Sequence, residues 1–236
     1  MAALLVELDA DLVALQEVAH ASIEGRPVDQ AAEFGHLTGL DHRYGAVWHF
    51  ALIEPETAAA SGATLWGNAI LSRQRVSAVT TDALPVVEND DPAHPQDVEP
   101  RCALSADIEL SVGRLRLVST HFGWFGSRAR RAQAERTAEL VGGAPGPLVL
   151  AGDLNAPIEA PELAPLRGLT DAFTAVGVPP GDERRQSCDI DRIDHLLVRG
   201  IEVLECRVVS EAGDLSDHLP VLARLRLLSD VGISHN

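Results

Sequence analysis

Cysteine is scarce in this chain. Cys102, Cys188 and Cys206 are the only three in 236 residues, too few and too scattered for a disulfide framework or a zinc cluster. They read as reduced thiols of a cytoplasmic protein, and Cys188 and Cys206 have no activating neighbours in sequence. Positive charge is scarce too: 19 Lys plus Arg against 35 Asp plus Glu leave a formal charge of -16. Tight nonspecific binding to DNA or RNA calls for a basic face, so this balance disfavours nucleic acid as a partner. It does not remove it, because a bound divalent cation would reverse the field locally. No apolar run approaches membrane-spanning length. The opening MAALLVELDAD has no basic region and meets Glu7 early, so it is not read as a secretory signal. Repeats of fixed period and low-complexity tracts are absent.

What is present fits one globular domain over residues 1–236: 46% hydrophobic and 23% charged residues, at a length that builds a single large core. The most informative stretch is Leu148 to Pro157, LVLAGDLNAP. A short apolar run ending in a turn signal reads as a buried strand. Asp153 and Asn155 follow it one residue apart, and alternation along an extended backbone would point both the same way. A carboxylate and a carboxamide so placed can orient a water and a phosphate oxygen near a hard cation. A chemically inert Asx turn is the competing reading.

Along the chain, residues 3–9 read as the end of a helix and residues 11–18 as a strand ending at Glu17. Residues 20–38 read as mixed and helical, and residues 44–53 as a strand. Residues 54–62 read as a loop, and residues 64–72 as a strand in which Gly67 permits close backbone approach. Residues 81–100, acidic and with four prolines, form a surface excursion. Residues 101–110 and 114–120 flank a hairpin signal at 111–113, and the second strand delivers His121. The aromatic loop FGWFG follows at 122–126, then a helix over 127–141 carrying RARRAQAER. After Asn155 come a loop or short helix to Gly168, a helix over 169–176 and a polar loop over 179–187. Strands over 192–198 and 201–210 follow, and a final strand comes directly after Asp217 and His218.

An apolar strand ending in an acidic, amide or imidazole side chain therefore recurs at Glu17, His121, Asp153/Asn155, Asp194 and Asp217/His218. One such ending is noise; five describe a site at the strand ends. LQEV at 15–18, STHF at 119–122, GDLN at 152–155, RIDHLLV at 192–198 and SDHLPV at 216–221 together resemble the endonuclease/exonuclease/phosphatase superfamily, the deoxyribonuclease-I-like fold. They come in the family's order and cover most of the chain.

The resemblance implies an α/β (α+β) four-layer sandwich: two mostly antiparallel β-sheets packed face to face, with helices outside. It also implies roles. Glu17 would be the main carboxylate ligand of Mg2+ or Mn2+, and Asp217 would support the same metal region. Asp194 would hydrogen-bond His218 and fix its tautomer. His218 would act as general base toward water or contact the scissile phosphate. Asp153 and Asn155 would orient the nucleophilic water and a phosphate oxygen, and His121 would donate to the phosphate as charge builds. Taken singly, His121 and His218 would more often be structural; their places beside the other motifs reverse that. His195, next to Asp194, faces the opposite side by alternation and reads as structural.

Three further residues are candidates for substrate contact: Asn68 in GNAILS, Arg101, and Trp124 in the aromatic loop. Trp124 could stack on a base or cover an apolar group, or pack beneath the adjacent helix. The arginines of the following helix read as a solvated face. One departure stands out. Family members usually begin with a strand ending in Trp-Asn, whose Asn contributes to the metal site, whereas Met1 here lies within what resembles the following helix.

The expected function is a soluble, monomeric, Mg2+-dependent phosphoesterase acting on a phosphodiester or small phosphomonoester, with no membrane partner. A DNA or RNA nuclease of the same fold is the second reading. A catalytically silent binding module that kept the fold is the third.

Overall fold

The computed structural model describes residues 1–23, 26–49, 65–87, 100–189 and 191–228. A short helix, α1 (Ala2–Glu7), leads into strand β1 (Leu12–Ile23), which turns back as β2 (Arg26–Asp29). Helix α2 (Gln30–Thr38) starts at Asp29, whose carboxylate accepts the Ala32 N–H at 2.9 Å, and stops at Gly39, whose φ of 73° glycine adopts at little cost. Strands β3 (Asp41–His49) and β4 (Leu65–Ser72) complete an antiparallel sheet in the order β2-β1-β4-β3.

The second sheet has six strands: β5 (Val76–Ala83), β6 (Cys102–Leu110), β7 (Gly113–His121), β8 (Leu148–Asp153), β9 (Thr170–Asp171) and β10 (Asp194–Arg199). Their order is β5-β6-β7-β8-β10-β9. Every pair is antiparallel except β7 and β8, which run parallel and are joined by the crossover helix α3 (Ser127–Gly142). A four-residue helix, α4 (Ala172–Ala175), follows β9. Strands β11 (Ile201–Val208) and β12 (Val221–Leu227) form a separate antiparallel pair.

Strict alternation divides the core. Leu104, Leu117, Val149 and Val198 face the four-stranded sheet, where Ile70 of β4 and Leu12 and Ala14 of β1 meet them. Their neighbours Ala103, Val118, Leu148, Leu150 and Leu197 face the other way, onto Ala134 and Val141 of α3. The outer face of the four-stranded sheet is covered by Leu5 of α1 against Leu71, and by Ala31 of α2 against Val18 and Ala69. The layers are thus helix, sheet, sheet, helix. Each fully buried Leu or Ile contributes about 1.5–3 kcal/mol relative to an exposed one.

The resulting close packing explains two glycines. A Cβ on Gly67 would overlap the Gly45 carbonyl of β3, as the sequence suggested, and one on Gly152 would overlap the Thr120 carbonyl of β7.

Several boundaries differ from those the sequence suggests. Strand β1 does not end at Glu17 but bulges between Leu15 and Val18 and runs on to Ile23. The stretch read as mixed and helical therefore begins as a hairpin, and its helix starts only at Gln30. β5 escaped notice because polar and apolar residues mix along it without alternation and most of its side chains face solvent; it takes the first three residues of the acidic excursion. The helix read over 169–176 is instead a two-residue strand and a single turn. Residues 50–53, the loop at 54–62 and residues 88–99 lie outside the described residues.

β12 pairs only with β11, and Leu12–Ala19 of β1 pairs with a strand on one side only, among the described residues. Leu12, Ala14 and Leu225 nonetheless pack on the same inter-sheet core. Helix α1 covers both strands, Leu4 packing near Leu222 and Leu5 near Val13 and Leu15.

Candidate active site

Pairing register brings three strand ends side by side. β10 and β8 place Asp194 opposite Asp153, and β7 and β8 place His121 opposite Asp153. His218 arrives from the loop before β12, which is stitched to the preceding segment where Leu219 N–H donates to Ser187 O at 2.6 Å. His218 N–H also donates to Ser216 Oγ at 3.3 Å.

Asp194 accepts twice at one oxygen. His218 Nδ1 lies 2.8 Å from Oδ2, and the Ser187 hydroxyl donates to the same atom at 2.6 Å. The bond to Asp194, opposed by partial burial and aided by the charges of Asp194, Asp153 and Asp217, pushes the His218 pKa up to about 9. The ring is therefore an imidazolium at neutral pH, with Nε2–H left to meet a ligand. Nothing in the sequence marked Ser187, which lies in the polar loop and meets Asp194 only through the fold. His195 points away from the cleft, is buried, and its Nε2 lies 2.9 Å from Ala156 O.

Asp153 is buried at the end of β8. Burial first, then the neighbouring Asp194 charge, pushes its carboxyl up to about 7. Its Oδ1 accepts the Asn155 N–H at 2.8 Å, an Asx turn, and Asn155 has a φ of 50°. Asn155 therefore reaches the site through a left-handed turn and not by strand alternation. Its Nδ2 donates to Phe122 O at 2.9 Å and lies 3.1 Å from His121 Nε2.

His121 is buried between these groups and Arg101. Arg101 Nη1 stands 2.9 Å from His121 Nδ1, and Asp153 Oδ2 lies 3.4 Å from Nε2. Burial, then the Arg101 and His218 cations, hold the imidazole pKa well below its usual value, so the ring is neutral. Glu17 sits at the bulge with a φ of 55°, its Oε1 4.0 Å from His121 Nδ1. The bulge is pinned by Ser119, whose hydroxyl accepts from Gln16 Nε2 at 2.9 Å and donates to Leu15 O at 3.1 Å.

The remaining candidates are placed differently. Asn68 is buried between the sheets, its Nδ2 donating to Cys102 O at 2.9 Å and 3.3 Å from Ser119 O, which makes it a brace behind the cleft. Trp124 is exposed and stacked on Phe125 with centroids 4.7 Å apart. It is not packed beneath α3. Its loop is anchored by Arg130 Nη1 donating to Trp124 O at 2.6 Å and Gly123 N–H donating to Gln133 Oε1 at 2.8 Å. Arg131 and Arg136 pair with Glu135 and Glu139 on a solvated face, as read from sequence, whereas Arg130 pairs with Glu162 largely out of solvent.

Asp153, Asp194 and His218 each offer a ligand atom, all within 4.8 Å of one another. Glu17 lies on the far side of His121, and Asp217 is exposed and outside this trio. The donor set suits a hard divalent cation, because its anionic members are carboxylates. The elevated Asp153 pKa points the same way: two crowded carboxylates lack enough compensating positive charge. No described helix is long and apolar enough to cross a membrane.

A model of the endonuclease/exonuclease/phosphatase family matches residues 1–218. No curated protein matches the chain in sequence. Among solved structures, an endonuclease/exonuclease/phosphatase from Beutenbergia cavernae superposes with a TM-score of 0.71 at 20% identity, over 96% of this chain. The chain spans 65% of that protein's length. A mannosyl-6-phosphatase from Bacteroides thetaiotaomicron gives 0.63 at 19% identity, over 96% of this chain and 89% of its own. The human Nocturnin catalytic domain, solved with a bound sulfate anion, gives 0.64 at 16% identity, over 95% and 83%. At such identities the likeness is one of fold.

Proposed function

The chain belongs to the endonuclease/exonuclease/phosphatase family, and from that premise we propose that it is a divalent-metal-dependent phosphoesterase using the Asp194–His218 pair. Family membership supports hydrolysis of phosphate esters of the phosphodiesterase or nuclease kind. The observation that carries the finer reading is the 2.8 Å contact of Asp194 with His218, beside Asp153 at the meeting point of the strand ends. The favoured substrate is a phosphodiester or small phosphomonoester, because the charge of -16 opposes a long nucleic acid.

Glu17 would hold Mg2+ or Mn2+ from the His121 side of the cleft, with Asp153 and Asp194 adding to the negative field around it. Asp217, exposed and outside their cluster, would contribute only at longer range. Such an ion polarises a phosphoryl oxygen and neutralises developing charge. The side chains supply the rest. His218, cationic and oriented by Asp194, donates from Nε2 to a phosphate oxygen. Asp153 takes the proton of the attacking water, which Asn155 helps orient. His121, neutral and buried, donates a second hydrogen bond as charge builds on the phosphate. Trp124 and Arg101 flank the bound ester.

Hydrolysis of bis-p-nitrophenyl phosphate and p-nitrophenyl phosphate, with Mg2+, Mn2+ or EDTA, tests this reading. Metal-dependent turnover is expected, and the preferred ester separates diesterase from monoesterase. Absence of turnover of either ester with either metal would contradict it and favour a silent binding module.

A further inference from the structure

Arg101 and His121 are both buried, and no sequence motif links them. They come from the start of β6 and the end of β7, twenty positions apart. A guanidinium nitrogen can only donate, so its 2.9 Å contact requires His121 Nδ1 to accept. An accepting Nδ1 carries no proton, and the hydrogen of the neutral ring must then sit on Nε2. That atom faces the cleft, with the Asp153 carboxylate 3.4 Å away as its nearest acceptor. The Asn155 amide nitrogen, 3.1 Å away and donating to Phe122 O, offers it none, a weaker neutral conflict than two donors meeting at the Arg101 cation.

The opposite tautomer would set two N–H groups against each other at Arg101. It would leave Nε2 as an acceptor beside the Asn155 amide, 3.1 Å away, and would turn the Nδ1 hydrogen toward Glu17, 4.0 Å away. Without Arg101, that second arrangement lets Nε2 accept from the Asn155 amide and sets no two donors against each other, so the ring has a real alternative. The choice matters because only the first tautomer gives an oxyanion a donor.

We propose that Arg101 is a positioning residue: it fixes the tautomer of His121 and so makes Nε2 a hydrogen-bond donor to the substrate phosphate. The proposal rests on the phosphoesterase reading. It changes the part assigned to Arg101 from sequence, because the guanidinium acts through the imidazole and not only on the ester. Arg101→Met removes the donor with little change in length, and Arg101→Lys keeps a cationic donor without the planar fork.

The first readout needs no activity. In the metal-free protein at pH 7.5, long-range 1H–15N correlation spectra report which ring nitrogen of His121 is protonated. Nε2 is expected in the wild type, a shift toward Nδ1 or a mixture in Arg101→Met, and partial return to Nε2 in Arg101→Lys. An Nδ1-protonated ring in the wild type, or an unaltered tautomer in Arg101→Met, overturns the proposal whether or not the protein is an esterase.

The second readout is a double-mutant cycle on bis-p-nitrophenyl phosphate hydrolysis. Arg101→Met is expected to lower kcat about 10- to 100-fold with a smaller effect on KM, as loss of an orienting partner does. In a His121→Ala background the same change is expected to cost less than about 3-fold, because two residues acting as one unit are not additive. Equal losses in both backgrounds would mean that Arg101 acts on substrate independently, and would overturn the proposal. If no variant or wild type turns over, the esterase reading fails while the spectra still decide the tautomer. Arg101→Lys, compared for thermal unfolding, guards against a collapse of the buried site in Arg101→Met.

Discussion

Asp153 is a carboxyl whose ionisation the fold opposes. Its pKa is raised from the ordinary carboxylate range to about 7. A raised pKa favours folding below the unfolded value, and the benefit is lost as pH rises through about 7. In the metal-free protein Asp153→Asn, which keeps an acceptor for the Asn155 N–H, should therefore raise unfolding stability at pH 8 by about 1–2 kcal/mol while abolishing turnover. Urea unfolding in EDTA checks the gain; a loss would mean that the site is not short of positive charge. His218 runs with the same sign and a different window. Its pKa is raised to about 9, so the Asp194–His218 bond stabilises fully below about pH 6.5 and fades between 6.5 and 9. The ring is half-exposed, so solvent screening leaves about 1 kcal/mol. Unfolding of Asp194→Asn at pH 6 and pH 9 should show this window flattened.

At this scale the sequence disclosed the acids, amide and imidazoles at the strand ends, because each sits in a short motif. It could not disclose Ser187, whose contact with Asp194 depends on the path of a polar loop, or the contact of Arg101 with His121, which the pairing of β6 with β7 sets up. Nor could it show that Glu17 and Asn155 hold left-handed backbone. Strain of that kind depends on what pins the bulge and the turn, here Ser119 and the Asp153 carboxylate.

Among the elements, β8 was legible because it is buried on both faces and opens on a continuous apolar run. β7 and β10 were legible because each has a short, mostly apolar centre, Leu115–Val118 and Leu196–Val198, beside a motif residue. β5 was not, since a mostly exposed strand that mixes Val and Ala with Ser, Thr and Asp has no such run. The hairpin at 20–29 was hidden because β1 continues beyond a bulge, and a bulge breaks the period of two on which strand reading depends. The parallel pairing of β7 and β8 carries His121 to Asp153, and it depends on Gly152. Gly152→Ala would drive a Cβ into the Thr120 carbonyl. A loss of about 3 kcal/mol or more is expected, from separated strands and broken ladder bonds. Thermal unfolding checks it, and a change below 1 kcal/mol would mean that the two strands can part at little cost.

For the whole molecule, the layering of helix, sheet, sheet and helix was legible through its family motifs, while the arrangement of its edges was not. β12 and the Leu12–Ala19 part of β1 each keep one edge without a strand partner among the described residues. Hydrogen exchange should therefore be faster on the unpaired side of β12 than anywhere in β8, whose strand is flanked on both sides. Equal protection of β8 and every β12 amide would show that something covers that edge. The acidic balance was legible from composition, and under the proposed function it weighs against polyanionic substrates.

The central claim is that Asp194, His218 and their neighbours at the strand ends hydrolyse a phosphate ester. Its most direct test is turnover of bis-p-nitrophenyl phosphate, with Mg2+ or Mn2+, by the wild type, His218→Ala and Asp194→Asn. The account predicts metal-dependent turnover in the wild type. It predicts a fall in kcat of about 100-fold or more in His218→Ala and of about 10- to 100-fold in Asp194→Asn, with all three proteins folded. Turnover that survives both substitutions unchanged would place the chemistry elsewhere in the molecule.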